Sequence, residues 1–365
     1  MGLLERLAEL VSFDTRNPEG DEKPLARKLG ADLAALGAAA VDEVTVGDHA
    51  YVYARFGAAR PTLLLNAHID TVPANSGYTS PPLTLVRRGD RLHGLGSADT
   101  KGAIAAILEA LALLGPAARQ KVSVGVLFSG DEERSGTCIR AFLDSDAARG
   151  LRQAIVCEPT ACRVGVRHRG IGAATASLGG PGGHSSRVDH IVNPISVLAR
   201  AAVALDEWRD AEKTRGPAGF PGLCLNVASL DGGLAFNVVP TRATLALSLR
   251  PGPGVDLGAV LAEAERRVRA ATAPHEIAWT VETQSPTFAT RAVGDFRPYL
   301  GDAVDAPVDL GFWTEAARVA ERGIDAVVFG PGMIEHAHAA DEHVEIADLQ
   351  KACAAFTRTL EAASR

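Results

Sequence analysis

The sequence predicts an α/β protein: a mixed, mostly parallel sheet covered by helices, with a smaller α+β unit inserted into it. Three observations carry this. Up to Pro159, helical and strand patterns alternate, and the strands are near-continuous apolar runs, as strands buried on both faces are. From about Val164 to about Thr283 the texture changes to alternating, glycine-punctuated segments with long helices between them, which suits turn-joined strands of an antiparallel sheet. After Thr290 the first pattern returns. A chain of 365 residues has room for two domains, or for one large domain with an insertion. The boundaries read as 1–164 with 284–365 for the first domain and 165–283 for the inserted one.

In order, LLERLAELVSF is an amphipathic helix that ends before Asn17-Pro18; Glu5 and Glu9 within its apolar periodicity set it apart from a signal peptide. PLARKLGADLAALG is a second helix, with Leu25, Leu29, Leu33 and Leu36 on one face. TLLLNAHID is an apolar strand. KGAIAAILEALALLG is a helix with Ile104, Ile107, Leu108 and Leu111 on one side, stopped by Gly115-Pro116. KVSVGVLFSG is a strand, CIRAFLDSD a helix and QAIVCE a short buried strand. In the inserted region GIGAATASLGG, LCLNVASLDGG and RATLALSLR read as strands, and NPISVLARAAVALDEW and DLGAVLAEAERRVRAA as helices. TEAARVAERG (helix), AVVFGPG (strand and loop) and the closing helix EIADLQKACAAFTRTLEAA complete the chain, which shows no internal repeat.

Composition narrows the function classes. With 47% hydrophobic and 22% charged residues the chain has a globular balance. The net charge of −7, with no Lys/Arg-rich run, gives no electrostatic reason to expect nucleic acid. No segment approaches the roughly 20 apolar residues of a membrane span. Cys138, Cys157, Cys162, Cys224 and Cys353 are odd in number and unpaired in spacing, which fits a reducing cytoplasm. Cys157 and Cys162 lack a second pair and read as inert thiols more readily than as a zinc site.

Chemistry-bearing residues collect at strand ends. His68 and Asp70 close TLLLNAHID. Asp99 follows a short Gly-rich turn. Glu132 and Glu133 follow KVSVGVLFSG, Glu158 closes QAIVCE, and His338 lies in EHAHAADEH. In open α/β sheets the ligand crevice lies beyond the carboxyl ends of the strands, so separate segments converge there. Any one of these groups reads as a cap or salt-bridge partner; together, each just past an apolar strand, they read as a site. Asp70, Asp99, Glu132, Glu133 and Glu158 would repel one another in one crevice unless cations sit among them. A solvated acidic rim is the other reading, and it leaves unexplained why the acids follow buried strands. Such oxygen and nitrogen ligands suit two divalent cations, with a carboxylate left over for the proton transfers of amide hydrolysis.

These residues carry a family resemblance. LVSFDTRNPEG, NAHIDTVP, GLGSADTKG, SGDEE, CEPT, HRGI, GGHSS, LDGGLAFNVVP, LSLRP, FWTEAA and FGPGMIEHAHAADEHV follow in this order over most of the chain. They resemble the M20 metallopeptidase family, in its branch of acetylornithine and acetylcitrulline deacetylases. The resemblance implies a zinc-exopeptidase-like catalytic domain, an inserted lid and dimerisation domain, and two divalent metal ions, typically Zn2+ with Co2+ as a frequent replacement. It implies that Asp99 bridges the ions, that His68 and Glu158 complete one site, and that Glu133 and His338 complete the other. Asp70 would orient the His68 imidazole, and Glu132 would be the general base and acid. Among His336, His338 and His343, the family pattern of a histidine three residues before Asp or Asn and then Glu selects His338 over His336. The chain departs from the commonest family wording at SADTKG, where Thr100 replaces a frequent Met.

By the same resemblance His184, in GGPGGHSSRVDH, binds the oxyanion from the lid, usually that of a partner subunit; capping of the following turn is its other reading. Asn237 and Arg250 match positions near the substrate α-carboxylate, which an Arg fork suits. Glu315, in FWTEAA, either meets a substrate ammonium or ureido group or caps the helix it opens. A homodimer through the lid is expected, with no nucleic-acid or membrane partner. The implied reaction is deacetylation of N-acetyl-L-ornithine or N-acetyl-L-citrulline in arginine biosynthesis. The alternatives are a related desuccinylase, aminoacylase or dipeptidase, and a non-catalytic metal-binding protein.

Overall fold

The structure, a computed structural model, describes residues 2–364 and divides into two compact units. The first comprises the chain up to Val166, Thr290–Val308, and the chain from Thr314 onwards; the second comprises Arg167–Ala289 and Asp309–Trp313. The second unit runs beyond residue 283 because Ala278–Ser285 stays paired with Ile171–Gly179 to its last residue. Phe288–Ala289 then pairs with His168 and Arg167.

In the first unit the strands lie in the order Ala40–Val46, His49–Phe56, Val124–Ser129, Leu63–His68, Gln153–Val156, Asp325–Val328. The last four are mutually parallel, and the first two form an antiparallel edge. The parallel strands are buried almost throughout. The edge hairpin has no counterpart among the sequence expectations, although Gly47, at φ +60°, supplies its turn. Val52, Ala54 and Phe56 alternate onto one face, where Leu3–Val11, Lys23–Ala35, Lys101–Leu113 and Ile346–Ala362 complete a shared apolar core. Tyr51 and Tyr53 point the other way, onto Phe142 of Thr137–Asp144. Lys101–Leu113 is surrounded rather than one-sided: every residue from Lys101 to Leu108 is buried, and its alanines admit neighbours on all sides. A small antiparallel sheet of Val86–Arg88, Arg91–His93 and His343–Glu345 anchors the segment after His338.

The second unit is an antiparallel sheet in the order Asn226–Gly232, Arg242–Leu249, Ile171–Gly179, Ala278–Ser285. Burial alternates strictly along its two central strands. That turns Ala174, Ala176, Leu178, Leu245 and Leu247 into one core with the helices Pro194–Glu212 and Leu257–Thr272. Both helices open on a side-chain cap. Asn193 Oδ1 accepts from Ile195 N–H (3.0 Å), and Asp256 Oδ1 from Gly258 N–H (2.9 Å). The cysteines are free thiols, with Cys157 and Cys162 buried. No helix among the described residues is long and apolar enough to cross a membrane.

Candidate metal centre and active site

Parallel pairing sets the site. Leu63–His68 is flanked by Val124–Ser129 and Gln153–Val156, with His68 opposite Ser129 and Asn66 opposite Val156. His68, the Gly130–Glu133 turn and Glu158 therefore emerge at the same sheet edge, where the chain leaves the ladder and side chains are released to a crevice. Asp99 reaches that edge from the Gly94–Thr100 turn. The Glu342 carboxylate holds this turn, accepting N–H bonds from Gly96 (2.9 Å), Ala98 (2.9 Å) and Asp99 (3.0 Å). His338, at φ +56°, arrives on the loop that carries Glu342, its carbonyl fixed by the Asn75 amide.

The donor atoms form a chain. His68 Nε2 lies 2.9 Å from Asp99 Oδ1, and His338 Nε2 lies 3.3 Å from Asp99 Oδ2 and 2.9 Å from Glu133 Oε1. Each oxygen of Asp99 thus faces a different histidine. One donor atom each from His68, Asp99 and Glu133 falls within 4.8 Å of the others, a group compact enough for a cation. Glu158 is 4% exposed beside them. His68 Nδ1 sits 3.0 Å from the Asp70 main-chain carbonyl and 3.6 Å from its carboxylate. A proton on Nδ1 is thus donated to the carbonyl, which fixes the ring with Nε2 facing Asp99. The Asp70 carboxylate itself accepts N–H bonds from Glu132 and Glu133, both 3.1 Å. It positions the acid pair more directly than it orients the imidazole.

Electrostatics mark the same cluster. Withdrawal from water raises the carboxyls of Glu132 and Glu158 well above their ordinary range, reinforced by neighbouring acids, Glu133 in the first case and Asp99 in the second. Glu133 is raised by burial, with the His338 hydrogen bond opposing. Hydrogen bonds to Asp99 and Glu133 push His338 up to about 10. Burial disfavours the His68 cation, yet the Asp70 and Asp99 carboxylates outweigh it and raise its pKa. Three glutamates forced toward protonation, while Asp99 is held charged by hydrogen bonds to His338 and His68, are what a crevice short of positive charge shows. This donor set of carboxylates and imidazoles, on two sides of Asp99, fits divalent cations.

The other expected residues fall as follows. His336 stacks on His343, centroids 4.0 Å apart, and His343 lies 4.8 Å from His93, so His336 belongs to a histidine stack. Glu315 is 1% exposed, and its Oε2 accepts from Ser129 Oγ at 2.7 Å. It makes no side-chain cap bond; Thr314 Oγ1 takes the Ala316 N–H instead. In the second unit His184 is exposed and caps its own turn, Nδ1 lying 2.8 Å from Ser186 Oγ and 3.2 Å from Ser186 N. His184 pairs with Val238, and Ser185 N–H donates to Asn237 O, so His184 and Asn237 are neighbours. Arg250 lies beyond the far end of Arg242–Leu249, roughly 24 Å along that strand. Sequence reasoning missed Asn17, Glu22 and Asp131, buried, and the half-buried His49, which join Asp70 in one polar network. Of these only Asp131, inside SGDEE, stood in a quoted strand-end motif.

The comparisons with known proteins agree with this architecture. The model of Peptidase family M20/M25/M40 matches residues 64–362. N-acetyl-L-citrulline deacetylase of Xanthomonas campestris pv. campestris is 35% identical over 95% of this chain and 94% of its own length. Acetylornithine deacetylase of Myxococcus xanthus is 30% identical over 97% and 95%. Among solved structures, an M20 family metallo-carboxypeptidase from Sulfolobus solfataricus superposes with a TM-score of 0.78 at 20% identity, covering 99% of each chain. A dinuclear metal-binding M20 peptidase from Bacillus subtilis gives 0.72 at 14% identity, over 99% of this chain and 96% of that one. On the extent of the family match and the identity to both deacetylases, the chain belongs to peptidase family M20/M25/M40.

Proposed function

We propose that the chain is a dinuclear metal-dependent amidohydrolase that cleaves the acetyl group from an N-acetyl-L-amino acid, with N-acetyl-L-citrulline or N-acetyl-L-ornithine as substrate, in arginine biosynthesis. One observation carries the reading. Beside a donor chain made of His68, Asp99, His338 and Glu133, Glu132 is anchored by its peptide N–H on Asp70, which leaves its carboxyl for chemistry. Its raised pKa suits a group that must hold a proton between two steps.

His68, Asp99 and Glu158 would hold one ion and Asp99, Glu133 and His338 the other. When bound, such ions, Zn2+ or Co2+, polarise a carbonyl and acidify water. Glu132 takes a proton from the attacking water and returns it to the departing nitrogen. His184 donates to the oxyanion. Arg250 offers its fork to the α-carboxylate. His184 with Asn237 and Arg250 sit a strand length apart in one copy of the second unit, so we take the two groups from different copies, as a homodimer through that unit allows. The sheet's two outer strands, Asn226–Gly232 and Ala278–Ser285, are both mostly exposed and are the edges available to such a dimer. Glu315, buried and bonded to Ser129, is assigned to the wall of the site rather than to a substrate side chain.

The test is turnover of N-acetyl-L-citrulline and N-acetyl-L-ornithine by protein stripped with chelator and reloaded with zinc or cobalt, beside Glu132→Gln. The expected outcome is hydrolysis of at least one substrate and a kcat lower by about 10²–10⁴-fold in the variant, with both metals retained. Dipeptide cleavage without deacetylation would move the chain to the family's peptidases. Near-normal turnover by metal-loaded Glu132→Gln would remove Glu132 from the mechanism.

A further inference from the structure

The Glu132–Glu133 turn is held from behind by side chains with no role in the mechanism above. Asn17 is 4% exposed, and its Nδ2 donates to two buried carboxylates, Asp70 Oδ2 and Asp131 Oδ1, each at 3.1 Å. Asp70 carries the Glu132 and Glu133 amides, as described. Asp131, the residue before them, is left-handed at φ +61°, a conformation that costs a non-glycine residue energy unless its side chain is tied down. It is tied: Oδ2 accepts from Thr137 N (3.0 Å) and Thr137 Oγ1 (2.6 Å), and its own N–H donates to Glu22 Oε1 (3.2 Å). Glu22 is also bonded to His49 Nδ1 at 2.9 Å, and His49 Nε2 stands 3.5 Å from Asp131 Oδ1. A Cβ on Gly130 would run into the Glu22 carboxylate, so the turn lies directly on this network. The backbone of the same segment is stitched to the His68 strand end by Asn17 N–H to Thr71 O (2.8 Å) and Thr71 N–H to Thr15 O (3.0 Å).

We propose that Asn17 is a positioning residue for Glu132. Among the described residues its amide is the one group that bonds both carboxylates flanking the turn, and it fixes the peptide from which the Glu132 carboxyl projects. Without this donor, Asp70 and Asp131 face each other as acids, and the turn relaxes. This rests on the role given to Glu132 above.

The experiment compares wild type, Asn17→Leu (nearly isosteric, without the donor) and Thr137→Val, each alone and with Glu132→Gln, in the metal-loaded protein. Two readouts are taken: steady-state kinetics, and amide hydrogen exchange over residues 130–137 against 124–129. We expect Asn17→Leu to lower kcat about 10–100-fold with little change in KM. We expect faster exchange at Glu132 and Glu133 with strand Val124–Ser129 unaffected, and no further loss of kcat in the Glu132→Gln background. Thr137→Val loosens the other anchor of Asp131 without exposing a bare carboxylate pair, and should show the same effects more weakly. If Asn17→Leu does not fold, Thr137→Val decides alone. Unchanged exchange and kcat, or losses that add fully to those of Glu132→Gln, overturn the proposal. If wild type deacetylates nothing, the functional reading fails instead, and the exchange measurement still tells whether Asn17 sets the turn.

Discussion

Glu315 shows how much one side chain's surroundings decide. The sequence offered two roles for it, substrate contact or helix cap, and both treat it as a surface carboxylate. Buried behind Ser129, its carboxyl is pushed up to about 7 by loss of water, the Ser129 hydrogen bond opposing. The sign of the consequence follows from linkage. The unfolded chain has a Glu near 4.5, so the folded state binds the extra proton between about 4.5 and about 7. The resulting stability is fully present below that window and lost as pH rises through it. Gln accepts the same Ser129 hydroxyl and carries no charge. Glu315→Gln should therefore match wild type near pH 5 and exceed it near pH 8 by on the order of 1–3 kcal/mol. Urea melts of chelator-treated protein at the two pH values measure this; an offset equal at both would mean that Glu315 stays charged.

At the scale of elements, the site is a meeting of strand ends and two loops, and the loops are held by one carboxylate. Glu342, from the loop after His338, accepts three amides of the turn that presents Asp99. An amide in its place loses an acceptor and aims N–H groups at N–H groups. Glu342→Gln should cost about 1–3 kcal/mol and weaken metal binding about 10–100-fold, read by competition with a chromophoric chelator; unchanged affinity would make the staple a fold feature only. The strand ends were legible because parallel, doubly buried strands are continuous apolar runs, so an acid straight after one stands out. The loops were legible only through resemblance, and Glu342 only as the last letter of a histidine pattern. The network behind the site left no such mark. Asn17 reads as a helix stop, Glu22 falls just before the helix PLARKLGADLAALG, and His49 lies on an edge hairpin. Their meeting depends on tertiary pairing of Arg16 with Thr71, which no local period encodes.

At the scale of the whole molecule, two cores share one chain, and among the described residues the candidate cation-binding group lies in the first unit. Removing divalent ions should destabilise the first unit, because binding to the native state alone adds stability in proportion to RT ln(1 + [L]/Kd). The second unit owes its core to Leu198, Leu205, Leu245, Leu247 and Leu261, none of which is a candidate ligand. The chain carries a built-in reporter for this difference. Its three tryptophans, Trp208, Trp279 and Trp313, all belong to the second unit. Tryptophan emission therefore follows that unit, whereas far-ultraviolet circular dichroism weights the longer first unit. In guanidinium melts with and without chelator, the dichroism midpoint should fall on metal removal and the emission midpoint should hold. Reloading with zinc should bring the two curves back together. A chelator-induced shift of equal size in both probes would mean that the two units unfold as one cooperative block.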